Sequence, residues 1–285
     1  MVCFACPRNC GVNRTLTKGA CGESEDIRIG FVGKHFSEEP CISGKNGSGA
    51  IFFSGCNLKC VFCQNYQISG QHNGKTVTQQ QLFEYAVALK NDGAHNINLV
   101  TATHFLPYLN DFLKNLRSLN LPIIYNCGGY ESIQSLQNAS KYLDVYLPDF
   151  KYYDDELAVK YSSGPNYKSF ATNAISYMCK CAGAPKFDEQ GMIKSGVIIR
   201  HLVLPGQKND SMKVIEHIAD NFPNAMVSIM RQYTPEFNRG GKELNRKITS
   251  YEYDCVVNLA SKRGLKGFMQ EAGCESSAYT PKFFN

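Results

Sequence analysis

From about residue 50 to residue 263 the chain alternates short apolar runs with amphipathic helical patterns. This alternation limits the available folds more than any other feature. The apolar runs are 50–54, 97–101, 123–126, 145–149, 197–204 and 225–230. Helical patterns follow at 78–92, 107–119, 132–140, from 154 onward, 211–220 and 250–263. In the first, Thr78 is the expected cap, Gln81 completes a capping box and Gly93 follows the end. Pro107 opens the second, with Leu109, Phe112, Leu113, Leu116 and Leu119 on one face. Six strand-then-helix units in series demand a parallel sheet joined by right-handed crossovers. No glycine-rich turn after the first strand marks a switch point, so an open doubly wound sheet and a partial barrel both stand. Either one places ligand chemistry at the C-terminal strand ends. The run 44–49 is glycine-rich, but it precedes a strand and lacks the Lys-Ser/Thr pair of a phosphate loop.

Residues 1–49 fall outside the alternation. They are expected to form a small cysteine-rich segment, with residues 50–285 forming the α/β domain. The chain has 13 cysteines. A disulfide scaffold would be shorter and led by a secretory signal. Residues 1–8 lack the basic-then-apolar order of such a signal, and a cytoplasmic location is expected. No stretch reaches the roughly 20 apolar residues of a membrane helix, so no membrane partner is expected. The net charge of +5 makes no case for nucleic acid. Metal ligation is the sharper reading of the cysteines, and their spacing supports it. One group is Cys56, Cys60 and Cys63; another is Cys3, Cys6, Cys10 and Cys21. Cys41, Cys127, Cys179, Cys181, Cys255 and Cys274 read as buried or isolated thiols.

Cys56, Cys60 and Cys63 lie directly after the first strand, spaced C-x3-C-x2-C. A structural zinc site wants four ligands, usually as two distant pairs. Three thiolates on a four-iron cluster leave one iron open, as a catalytic centre requires. With an aromatic residue, Phe62, before the third cysteine, the motif resembles the radical S-adenosylmethionine (SAM) signature. The stretches 47–49 and 53–57 resemble the glycyl-radical-enzyme activases, in particular the pyruvate formate-lyase-activating-enzyme-like subgroup with a cysteine-rich N-terminus. The resemblance covers nearly the whole chain. It implies a partial (β/α)6 TIM-like barrel and a [4Fe-4S] cluster on Cys56, Cys60 and Cys63. It also implies SAM on the open iron, and reductive cleavage to a 5′-deoxyadenosyl radical that abstracts hydrogen. The implied partners are an electron donor such as flavodoxin or ferredoxin and a glycyl radical enzyme. Modification of a peptide or small molecule is the alternative substrate reading. A non-catalytic iron–sulfur electron carrier is the alternative from another class.

The resemblance extends to the other strand ends. Phe62 is expected beside the adenine of SAM, or else in the core. The second strand ends in Thr101-Ala102-Thr103-His104, where activases have a Gly-Gly-Glu-Pro-like motif gripping the SAM amino group. Thr101 and Thr103 are the candidate replacements. Asn126, ending the third strand, is a candidate polar contact. Asp149 and Lys151, ending the fourth, match the activase Asp-x-Lys motif, in which the lysine pairs with the SAM carboxylate. Arg200 on the fifth strand sits among apolar neighbours, so it needs a buried anion. SAM's carboxylate or an internal Asp or Glu would serve. After the sixth strand, Tyr233 stands where activases often have histidine, and the basic stretch to Lys247 reads as a substrate lid. Cys3, Cys6, Cys10 and Cys21 complete a four-thiol set for zinc or for a second Fe–S cluster.

Overall fold

The computed structural model describes residues 2–274, 276 and 280–284. The strands are β1 (Arg28–His35), β2 (Ser48–Phe53), β3 (Lys75–Thr76), β4 (Ile97–Val100), β5 (Ile123–Cys127), β6 (Val145–Pro148), β7 (Lys186–Phe187), β8 (Ile193–Leu202), β9 (Met226–Met230) and β10 (Gly267–Met269). They run in the order β10-β9-β8-β6-β5-β4-β2-β1-β3, with β7 paired to β8. From β2 through β4, β5, β6, β8 and β9 to β10 every pairing is parallel. β1 and β3 add antiparallel on the far side of β2. Among the described residues β10 and β3 do not pair, so the sheet curls without closing. The six expected strands are β2, β4, β5, β6, β8 and β9, and the fold is the expected partial barrel.

β2, β4, β5 and β6 are buried along their whole length, as strands covered on both faces must be. Their side chains alternate. Ile51, Phe53, Ile97, Leu99, Ile123, Tyr125, Val197 and Ile199 pack outward in the main core with the helices. Ile124, Val145, Leu147 and Ile198 face the opposite side, where they meet Cys41 and Ile42. Those two belong to the short helix Pro40–Ser43 between β1 and β2. The barrel interior is therefore plugged by a segment from within residues 1–49.

The helices match their expected places. Gln79–Asn91 carries the full capping box from Thr78 and Gln81, and Ser250–Lys262 carries another from Thr249 and Glu252. The pattern at 107–119 resolves into the helix Asn110–Leu116 flanked by 3-10 turns. The helical sequence after 154 resolves into Asp155–Ser162 and Tyr167–Ala182. β1, with glycines at 30 and 33, escaped the apolar pattern because most of it is only half-buried. Among the described residues no helix is long and apolar enough to cross a membrane.

Candidate SAM and cluster site

The turn after β2 begins at Gly55, whose φ is +77°. A Cβ there would lie 2.5 Å from Glu23 Cγ and 2.9 Å from the Cys21 carbonyl oxygen, so only glycine fits. The following loop is tied down through its backbone. Gly55 N donates to Ile68 O (2.9 Å), Lys59 N to Ser162 O (2.9 Å) and Val61 N to Tyr161 O (2.8 Å). The Asn57 side-chain amide donates to Tyr130 O (2.5 Å).

Cys56, Cys60 and Cys63 then line one cavity of about 200 Å³ at the strand ends. Each sulfur has a polar neighbour. Leu58 N donates to Cys56 Sγ (3.4 Å), the Ser162 hydroxyl to Cys60 Sγ (3.0 Å), and Ser69 Oγ lies 3.3 Å from Cys63 Sγ. Burial pushes the Cys56 thiol up to about 12 and raises Cys60, which Lys151 partly offsets. Half-buried thiols lining one cavity, with polar neighbours at sulfur, suit a centre that binds them as thiolates and releases their protons.

The same cavity carries charged groups. Lys151 Nζ donates to Asp149 Oδ2 at 2.6 Å. Burial alone would lower the lysine, but Asp149 together with the nearby Cys60 and Cys63 raises it and holds the ammonium charged. Asn126, Phe62, Thr101 and Arg200 also line the cavity. Thr101 has φ +61°, a strained conformation for a β-branched residue, and its N–H donates to Asn126 O (2.8 Å). Arg200 does not stand alone. Its Nη1 lies 3.1 Å from Glu38 Oε2 and its Nε 3.3 Å from Glu39 Oε1. Of the two anions expected for Arg200, SAM's carboxylate and an internal acid, the structure supplies the internal one, as Glu38 and Glu39, which the sequence did not single out. They lie far off in sequence, in a segment with no periodic signal.

Thr103 is not brought to the cavity. It is buried, and its hydroxyl donates to Glu131 Oε1 at 2.9 Å. Tyr125 donates to the other Glu131 oxygen at 2.7 Å. His104 is also core: its Nε2 donates to Ser54 O (2.7 Å), and burial pushes it down to about 3. Tyr233 packs against Phe62 and donates to Leu244 O (2.7 Å) instead of lining the cavity. The segment after β9 folds over the cysteine loop. Arg239 N donates to Val61 O (2.7 Å), and its guanidinium donates to the carbonyls of Cys60 (3.3 Å) and Cys63 (3.4 Å).

Cys3, Cys6 and Cys21 are buried and Cys10 is partly exposed. A Cβ on Gly19 would touch the sulfurs of both Cys10 (3.5 Å) and Cys21 (3.4 Å). This segment braces the cysteine loop: Cys56 N donates to Cys21 O (3.3 Å) and Arg8 Nε to Asn57 O (2.6 Å). Among the described residues no three His, Cys, Asp or Glu side chains converge on one ion position.

Comparison with known proteins follows the same lines. The family model described as "Radical SAM superfamily" matches residues 50–219. An uncharacterized protein of Methanocaldococcus jannaschii is 32% identical over 274 residues, covering 92% of this chain and 75% of that protein. The pyruvate formate-lyase-activating enzyme of Clostridium pasteurianum is 21% identical over 239 residues, covering 81% of this chain and 93% of that enzyme. Among solved structures, Streptococcus suis SuiB bound to its precursor peptide SuiA superposes with a TM-score of 0.56 at 10% identity. That match covers 77% of this chain and 47% of SuiB, so the chain spans about half of that protein. At this identity the likeness is one of fold.

Proposed function

The chain belongs to the radical SAM superfamily, and from that premise we propose that it is an activase that abstracts hydrogen from a backbone glycine of a partner enzyme. The family consists of enzymes that use a [4Fe-4S] cluster and SAM. The observation that carries the site assignment is the cavity that Cys56, Cys60 and Cys63 share with Asp149, Lys151 and Arg200. The activase reading draws its support from the match to the C. pasteurianum activating enzyme along 93% of that enzyme's length.

Cys56, Cys60 and Cys63 would hold the cluster and leave its fourth iron to SAM. The bound pair supplies reductive cleavage of a sulfonium and hydrogen-atom abstraction. The protein's own part is positioning and exclusion of water. Lys151, held charged by Asp149, would receive the SAM carboxylate. Phe62 and Asn126 would hold the nucleoside, and Thr101 would offer its carbonyl and hydroxyl. The segment after β9, pinned by Arg239, would shield the cluster from solvent. Residues 1–49 would act as a brace, with Cys3, Cys6, Cys10 and Cys21 taking a second metal centre. An electron donor of the flavodoxin or ferredoxin kind would dock outside.

The test is anaerobic reconstitution with iron and sulfide, followed by SAM and a reductant. The expected product is 5′-deoxyadenosine, with iron bound at residues 56–63. A fully loaded chain that makes none would overturn the catalytic reading. Electron paramagnetic resonance on a candidate partner should then show a persistent glycyl radical. A partner that stays radical-free while 5′-deoxyadenosine accumulates would overturn the activase reading alone.

A further inference from the structure

The chain leaves β10 at Met269, on one edge of the open sheet, and by Phe284 it is bound near the other. There Phe284 N donates to Gly30 O on β1 (2.7 Å). β3 covers β1 only at Arg28 and Ile29. From Phe31 to His35, β1 pairs with β2 alone and is half-buried. Apart from that pairing, the bond from Phe284 is the one backbone hydrogen bond that residues 30–35 make among the described residues. An uncovered strand edge of this kind is a template for any extended chain.

The neighbouring Phe283 packs inside the barrel. Its ring lies 6.0 Å from that of Phe52, which stands edge-on to Phe31 (5.6 Å) and to His35 (5.9 Å). Phe52 and Val100 face the interior, opposite to Ile51, Phe53 and Leu99. Phe52 and His35 line the cavity that holds Cys56, Cys60 and Cys63. Phe283 therefore sits one ring away from the candidate site, in an apolar cluster with Phe31, Phe52 and Ile68. It is only half-buried. Lys75 Nζ lies 4.5 Å from the centre of the Phe284 ring. One backbone hydrogen bond, one half-buried ring and one cation over the other ring hold the tail, and a longer paired strand makes more such contacts.

We propose that the edge of β1 from Gly30 to His35, with the apolar pocket of Phe31, Phe52 and Ile68, is the docking place of a polypeptide substrate. Phe283 and Phe284 occupy it until an extended segment of the partner displaces them. This rests on the polypeptide-substrate reading above. The partner segment pairs with β1 and sets an apolar side chain where Phe283 lies. Ile29 pairs with Phe53, the last residue of β2 before the cysteine loop, so a segment held at Gly30 lies level with that loop.

The test compares the iron-loaded full chain, its Phe283→Ala variant and a chain shortened to end at Thr280. The probe is a dye-labelled, end-blocked peptide copying residues 280–284, read by fluorescence anisotropy. The shortened chain should bind it about tenfold more tightly than the full chain, the worth of a half-buried ring. Phe283→Ala should fall between them. Equal affinity in all three overturns the proposal; if the shortened chain does not fold, Phe283→Ala against the parent decides. With a partner that acquires a glycyl radical, Phe283→Ala should lower the KM for that partner severalfold at unchanged kcat. An unchanged KM overturns the docking role. If SAM is cleaved and no partner acquires a radical, the activase reading has failed by itself. The peptide measurement needs neither SAM nor partner, so it still decides whether the tail covers a polypeptide site.

Discussion

At the scale of the residue, single atoms decide whether the site forms. Gly55 shows this, because the chain turns there with φ +77° against Glu23 and Cys21. Gly55→Ala should lower stability by about 1–3 kcal/mol and reduce the iron bound per chain, as read by urea unfolding and iron analysis. Unchanged values in both would mean that the loop has slack the geometry does not reveal. Cys56, Cys60 and Cys63 were legible in the sequence because three metal-binding side chains fell within eight positions. Asp149 and Lys151 were legible as a charged pair at a strand end. Glu38 was not, since its partners Asn98, Asn126 and Arg200 lie 60 to 162 residues away. Thr103 misled because two threonines two positions apart at a strand end look equivalent. The strained turn at Thr101 leaves one facing the cavity and sends the other to Glu131.

At the scale of the element, local chemistry set most boundaries. The capping box of helix Gln79–Asn91 is readable from Thr78 and Gln81 alone, and both of its hydrogen bonds are present. Thr78→Ala should therefore cost about 1 kcal/mol, measured as a lower urea midpoint with the slope unchanged. No shift in midpoint would mean that tertiary packing already fixes this helix start. The segment after β9 looked like an open lid, being long, basic and without periodicity. Two 3-10 turns, Arg239 on the cysteine loop and the Arg246–Glu252 pair (2.7 Å) give it defined structure. The Arg239 contact has no local signature, because it joins this loop to the cysteine loop 179 residues away.

At the scale of the whole molecule, buried titratable groups couple the fold to pH. Burial pushes Glu131 up to about 7 from an ordinary 4.5, although Tyr125, Thr103 and Cys127 hydrogen-bond to it. The folded chain therefore keeps a proton that the unfolded chain releases between pH 4.5 and 7. Stability from this group is full below 4.5 and is lost as pH rises to about 7, on the order of 3 kcal/mol in all. His104 and His201, lowered by burial to about 3 and about 4, act oppositely below pH 6.5, and they are unchanged by substitution at 131. The unfolding free energy of Glu131→Gln, relative to the parent, should climb from pH 4.5 to 7 in urea titrations of the iron-free chain. A flat difference would show that Glu131 ionises normally. The sequence by itself determined the parallel α/β alternation and the cysteine loop at a strand end, because periodicity and ligand spacing are local properties of a chain. Only the tertiary structure decided that the sheet stays open, that Cys41 and Ile42 plug the barrel and that Arg200 meets two glutamates. Those outcomes depend on how the elements pack together, and a buried charge must find its partner wherever packing puts one.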